Sequence, residues 1–192
     1  MKQLNLGCGQ FPQKGFINAD ISMDTPADIF FDLSKIPYPF KDNSFELVIA
    51  EHVIEHLENP FDVMKEICRI LIPGGRIIIK VPHFSRGFTH PDHKRGFDVS
   101  FYYYFYPECK AGYTGLDLIS KGVKMKWFAQ EHLKKIVLSE NLYIICKTIG
   151  NILDFLANLC PFFCSRIWAF WVGGFEEVEF QFIKPESDEK NE

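Results

Sequence analysis

The sequence predicts an α/β fold built on an open, mostly parallel, doubly wound sheet, and three observations carry that prediction. Strand-like and helix-like stretches alternate through the first half of the 192 residues: "QLNLG", "GFINADI", "DIFFDL", "FELVIA", a helical stretch, then "RIIIKVP". "FELVIA" and "RIIIKVP" are nearly continuous apolar runs, the pattern of central strands covered on both faces. A glycine turn, Gly7-Cys8-Gly9, follows the first strand, at the edge where open parallel sheets bind ligands.

After "QLNLG", the stretch from Gly9 to Gly15 is too short for a full crossover helix, so one sheet face is expected to be thinly covered. The clearest helix starts at Asn59 as N-cap, with Pro60 at its first position, and runs to about Leu71. Phe61, Met64, Ile67, Cys68 and Leu71 share its apolar face, and Pro73-Gly74-Gly75 breaks it. From His83 the sequence turns polar and aromatic with little periodicity, and 83–113 reads as a lid or acceptor-binding insertion. "LDLISKGVKMKW" then reads as a strand interrupted by Gly122, and "WFAQEHLKKIVLSENLYII" fits either helix or strand. Ile152 to Val172 looks helical despite Pro161, "EEVEFQFI" alternates like a half-buried last strand, and the polar tail 185–192 is expected to be disordered. A single domain over 1–184 accounts for the whole pattern.

Composition narrows the function classes. At 47% hydrophobic and 24% charged residues, the chain has the makeup of one globular domain, and a formal net charge of -4 argues against a general nucleic-acid binder. Six cysteines without a CxxC pair read as reduced thiols of a cytoplasmic protein, and nothing before Leu4 resembles a signal peptide. The apolar stretch Leu142 to Phe175 is interrupted by Lys147, Asp154, Asn158 and Arg166, and on that ground is not expected to span a membrane.

The glycine turn lacks the third glycine of a dinucleotide fingerprint, since Pro12 stands in its place. A ligand without phosphates needs only the close backbone approach that Gly7-Cys8-Gly9 provides. Asp20 and Asp32 end the next two predicted strands and should converge on the turn, one able to accept ribose hydroxyls and the other an adenine amino group. Together these features describe an adenosine site.

The ordered set "LNLGCG", "INADIS", "FFDLS", "YPFKDNSFELVIAEHVIEHL" and "RILIPGGRIIIKVP" resembles the class I, Rossmann-like, type 11 S-adenosylmethionine-dependent methyltransferases. The resemblance implies a doubly wound sheet with a final antiparallel strand, and S-adenosyl-L-methionine as cofactor. It implies that Gly7, Cys8 and Gly9 line the methionine half, with Asn5 where many relatives carry an acid. Asp20 and Ile21 would take the ribose, Asp32 and Leu33 border the adenine, and Glu51 and His52 border the active site. The helix that precedes the first strand in most relatives is missing here, so a homodimer or a covering C-terminal segment is expected.

The acceptor side centres on "HPDHKRG", where three readings stand open. His90, Asp92 and His93 have metal-donor types but sit too close in sequence without a distant fourth ligand, and no metal is assigned. Pro91-Asp92 also makes a plain turn. In the third reading the segment overlies the reacting methyl, with His93, His90, Asp92 and His52 as catalytic candidates, and Lys94 and Arg95 clamping an anionic acceptor. His52 and His83, at strand ends, are placed for the site, whereas His56 reads as structural and His132 as a surface residue.

"FYYYFY" reads as core before binding platform. "HPDHKRGFDVSFYYYF" and "EEVEFQFI" loosely resemble small methyltransferases of cell-surface polysaccharide genes, which suggests a sugar or glycolipid acceptor. The segment bearing Trp168 and Trp171 either covers the thin sheet face or lies at a membrane surface.

The expected activity is methyl transfer to oxygen or nitrogen of a small-molecule or glycan-like acceptor, with a non-catalytic cofactor-binding or partner subunit as the alternative. Pro12 disfavours a nicotinamide oxidoreductase, and Ala50-Glu51-His52-Val53 disfavours a methyltransferase acting on nucleic-acid base amines.

Overall fold

The computed structural model describes residues 2–87, 90–109, 112, 114–116, 118–172 and 174–186. Part of the 83–113 expectation and nearly all of the expected tail, 187–192, lie outside them. Seven strands form one sheet in the order β3-β2-β1-β4-β5-β7-β6. They are β1 (Gln3–Leu6), β2 (Ile17–Asp20), β3 (Ile29–Phe30), β4 (Phe45–Glu51), β5 (Leu71–Pro82), β6 (Ile119–Lys126) and β7 (Glu177–Ile183). Pairing is parallel from β3 to β5, and β7 lies antiparallel between β5 and β6. The expected order of central strands and the antiparallel last strand are both present.

Coverage of the sheet is less even than a doubly wound fold implies. The connections β1–β2, β2–β3 and β3–β4 carry no helix. Side-chain amides replace it: Asn5 Nδ2 donates to Asn18 Oδ1 at 3.0 Å, and the same oxygen accepts from Gln13 N at 2.7 Å. Asn18 Nδ2 in turn donates to the carbonyls of Gln13 and Phe16. Two buried asparagines thereby satisfy backbone groups that a crossover helix would have satisfied internally. Polar ends also shorten β3 to two residues, because Asp28 accepts from Asn18 N and Asp32 caps a turn at Ser34.

Helix α1 (Pro60–Ile70) begins as its sequence dictates, with Asn59 Oδ1 accepting from Phe61 N at 3.2 Å and Pro60 in the first turn. It buries Val63, Met64, Ile67 and Ile70 against the sheet, and the chain turns straight into β5 at Leu71. Beside α1 on the same face lies the aromatic segment Val99–Phe105. The Phe101 ring sits 5.0 Å from Phe97, 5.2 Å from Phe105 and 5.4 Å from Phe180. Phe97, Val99, Phe101 and Phe105 are all buried, so this part of the aromatic run is core.

The opposite face stays thin, since Ile78 and Lys80 of β5 and their partners Gln181 and Glu179 of β7 are only half-buried. Short helix α2 (Phe84–Gly87) follows β5, and α3 (Glu131–Val137) and α4 (Glu140–Leu159) follow β6; two short turns, α5 (Pro161–Phe163) and α6 (Ala169–Val172), precede β7. Helix α4 does not cover the middle of the sheet. It docks at the β6 edge, where Asp154 Oδ1 accepts from Trp127 N at 2.6 Å and Asn158 brackets Met125. Its Ile145, Ile149, Ile152, Phe155 and Leu159 are exposed. By length and composition alone α4 is apolar enough to cross a membrane, contrary to the sequence expectation, because Lys147 and Asp154 are its only charges beyond the first residue.

Candidate active site

Two cavities meet at the carboxyl edge of the sheet. The smaller, about 300 Å³, is lined by Asn5, Gly7, Cys8, Gly9 and Glu51, with Phe11 and His132 on its outer side. The larger, about 510 Å³, is lined by His52, Glu55, His56, His90 and His93, with Arg86 and Glu176 at its rim. His52, Gln130 and Leu133 border both, so the two spaces adjoin along a shared wall. Both lie in the size range of small-molecule sites.

The glycine turn is built by β1 and by Asp20 at the end of β2. Gly7 has φ +66°, and a Cβ there would meet Val53 Cγ2 at 2.4 Å; Gly9 has φ +51° and open space where a side chain would stand. Asp20 holds the turn in place: its Oδ2 accepts from Gly9 N at 2.8 Å and its Oδ1 from Ser22 N at 2.9 Å. Asp20 is therefore a bracket for the turn, with further lone pairs for a ligand. Ile21 is 66% exposed beside it. Hydrogen bonds from Ser34, with Lys35 nearby, hold the Asp32 carboxyl below its usual range. The Leu33 side chain is buried in the main core, which leaves only its backbone to face a ligand. Glu51 pairs with Lys80 at 2.7 Å across adjacent strands.

His132 is an exposed residue of α3, as expected, and its ring stands 4.6 Å from Phe11 beside the smaller cavity. Its place at that cavity depends on how α3 returns to the glycine turn, which has no local signature. Gln130, which starts α3, has φ +49°, and His52, just past β4, has φ +53°. Non-glycine residues in this region are uncommon and collect at functional sites, and these two line the shared wall.

Of the two histidines expected at strand ends, only one enters the cleft. His52 Nε2 lies 2.9 Å from Glu177 and its Nδ1 3.5 Å from Glu55. Burial opposes its charge, but the two carboxylates outweigh it and lift the pKa to about 9, so the ring is an imidazolium at neutral pH. His83 is turned into the core between Ser85 Oγ (2.7 Å) and Ser165 Oγ (2.9 Å), where burial lowers its pKa to about 4. His56, expected to be structural, lines the cleft instead, with Nδ1 3.2 Å from the carbonyl of Asp92.

The turn carrying "HPDHKRG" lies over the cleft. His90 and His93 stack at 4.6 Å, and the His56 ring stands 4.9 Å from His93. Asp92 is exposed and meets the cleft through its carbonyl, which contacts His56. Lys94 and Arg95, expected to clamp an acceptor, instead fasten the turn: Lys94 N donates to Glu55 O, Lys94 Nζ lies 2.9 Å from Glu58, and Arg95 donates to the Glu58 carbonyl. The cation at the rim is Arg86, after β5.

Strand order, the glycine turn after β1, the acid ending β2 and the single antiparallel strand together decide the fold. The chain has the Rossmann-like fold of class I methyltransferases. Residues 23–79 match the family model described as "Methyltransferase domain". A curated relative, Methyltransferase str3 of Strobilurus tenacellus, is 28% identical over 113 residues, 56% of this chain and 36% of that protein, so this chain spans little more than a third of that relative. Among solved structures, a SAM-dependent methyltransferase of Archaeoglobus fulgidus matches with TM-score 0.57 at 17% identity, over 95% of this chain and 86% of the other. Phosphoethanolamine N-methyltransferase 2 of Haemonchus contortus, in complex with S-adenosyl-L-methionine, matches with TM-score 0.57 at 17% identity, over 97% of this chain and 50% of the other.

Proposed function

We propose that this protein transfers a methyl group from S-adenosyl-L-methionine to an oxygen or nitrogen of a small-molecule or glycan-like acceptor. The observation that carries the reading is the pair of adjoining cavities, one over a glycine turn and one lined by histidines, with His52 on the wall between them. The glycine turn fits the methionine half of the cofactor: Gly9 leaves open space for it, and Asn5 and Glu51 offer polar groups around it. Asp20 receives the ribose hydroxyls on the lone pairs its backbone bonds leave free, and Asp32 and Leu33 mark the adenine end.

When bound, the cofactor supplies an electrophilic methyl group on a sulfonium. The cleft orients the acceptor toward the shared wall. His90 and His93 are placed to take the acceptor's proton, whereas His52, already protonated, serves as a fixed positive charge. Arg86 stands where an anionic part of the acceptor would lie. Alignment of nucleophile and methyl group is worth about 7–11 kcal/mol and a general base about 10²–10⁴-fold, so positioning dominates.

Calorimetry with S-adenosylmethionine, S-adenosylhomocysteine and NAD tests the reading. The first two are expected to bind and NAD not; binding of neither, or preference for NAD, overturns it. A mass-spectrometric methyl-transfer screen against sugar nucleotides, lipid-linked sugars and small metabolites then identifies the acceptor.

A second observation bears on where the acceptor resides. Helix α4 exposes an apolar surface, with Lys135 and Lys147 alongside, directly after the helix that lines the cleft. That surface fits a peripheral membrane contact near a lipid-linked acceptor. Flotation with anionic liposomes is expected to carry the protein upward; a protein that stays behind and sediments as a dimer assigns the face to a second copy instead.

A further inference from the structure

We infer that Glu55, His56 and His93 bind one divalent transition-metal ion of zinc's class on the floor of the histidine-lined cleft. One donor atom from each side chain lies within 4.8 Å of the others. Ligand bonds of about 2.0–2.2 Å around a tetrahedral ion set donors about 3.5 Å apart, so loading needs a contraction of about 1 Å. His93 rides on the turn over the cleft and can supply that movement.

The independent observation is the Glu55 carboxylate. The residue is 0% exposed, and neither of its oxygens accepts a hydrogen bond. The imidazolium of His52 pairs with it through Nδ1 at 3.5 Å, its other nitrogen being engaged by Glu177, and His93 Nε2 stands at 4.0 Å. With one long ion pair and no short hydrogen bond, the buried carboxylate keeps lone pairs that a metal ion can take. His56 shows the matching signature: Nδ1 contacts the Asp92 carbonyl at 3.2 Å, the outer contact that orients a ligating imidazole and leaves Nε2 for the ion.

Two imidazoles and one carboxylate form the donor set of catalytic zinc sites, which keep a position open for water or substrate. The cleft of about 510 Å³ supplies that opening. His90, stacked on His93, is left beside the ion to take a proton.

The consequence for substrate, resting on the methyltransferase reading, is an acceptor whose reacting group is an oxygen able to ligate the ion. Coordination lowers the pKa of such an oxygen and fixes it opposite the methyl donor. An alkyl amine, protonated at neutral pH, gains nothing from this site.

The test measures metal without the reaction. Chelator-stripped protein is titrated with Zn2+, Mn2+ and Mg2+ by calorimetry, and Co2+-loaded protein is examined by visible spectroscopy. One equivalent of Zn2+ is expected, with Co2+ bands lacking thiolate charge transfer; Glu55→Gln and His93→Ala each weaken Zn2+ at least tenfold, while His132→Ala leaves it unchanged. Retained S-adenosylmethionine binding in the two variants shows that they are folded.

Absence of Zn2+ binding, a thiolate signature from the free cysteines, or wild-type Zn2+ affinity in both variants overturns the proposal. Preference for Mg2+ overturns the zinc class. Protein that binds Zn2+ but not S-adenosylmethionine defeats the methyltransferase reading alone, and the converse defeats the metal alone.

Discussion

The two cavities are made in opposite ways. The smaller rests on one turn, Gly7-Cys8-Gly9, bracketed by an acid eleven positions on, so most of its floor comes from consecutive residues. The larger draws on the end of β4, the turn that follows it, the segment after β5, the start of α3 and Glu176, which are spread over most of the chain. A site made locally leaves a motif, whereas one assembled by tertiary structure leaves only scattered residue types.

The comparison breaks first at Gly7. Gly7→Ala places a Cβ 2.4 Å from Val53 in a backbone region that alanine adopts poorly. A loss of roughly 2–4 kcal/mol is expected from overpacking and strain together, with S-adenosylmethionine binding abolished. Denaturant unfolding and calorimetry check both; a variant of wild-type stability would show that Val53 moves aside freely.

Next comes the histidine turned away from both cavities. The folded pKa of His83, about 4, lies below the unfolded value of about 6.5, so the unfolded chain binds the proton more readily. Its stabilising share is complete above pH 6.5 and is lost as pH falls toward 4, to about 3 kcal/mol at most. Unfolding free energy measured from pH 7 to 4 should fall less steeply in His83→Gln than in the wild type; identical slopes would place the acid sensitivity elsewhere.

Asp20→Ala removes two backbone hydrogen bonds from the glycine turn. About 1–3 kcal/mol of stability and at least tenfold in S-adenosylmethionine affinity are expected to go, while Zn2+ binding in the other cavity stays. Parallel titrations separate the two, and loss of both would mean that the cavities fold as one unit. The smallest effect belongs to His132→Ala, which removes one ring contact with Phe11. A change of about 0.5–1.5 kcal/mol in cofactor affinity is expected by calorimetry.

Legibility followed the same division. Strands β1, β2, β4 and β5, helix α1 and its Asn59 cap follow from alternation, apolar runs and capping chemistry that neighbouring residues determine. Asp20 was readable because strand ends in parallel sheets face one side. The same rule placed His52 at the cleft, but its ion pairs and the fates of His56 and His83 were not readable. Each depends on which groups arrive from elsewhere: Glu177 and the Asp92 carbonyl hold two of them at the cleft, and Ser165 draws the third inward. Lys94 and Arg95 looked like substrate clamps because their pairing with the 55–58 segment crosses some forty residues.

The position of β7 has a bearing on how the molecule comes together. Among the described residues, strand β6 pairs only with β7, and β7 reaches the rest of the sheet only through β5. During synthesis β6, with α4 docked on it, has no place in the sheet until Glu177–Ile183 has left the ribosome, and the same residues bring Glu177 to His52. Non-local pairings of this kind form late. The glycine turn can take shape on a nascent chain, but the histidine cleft closes only when the fold does, which leaves the unfinished protein without that cleft.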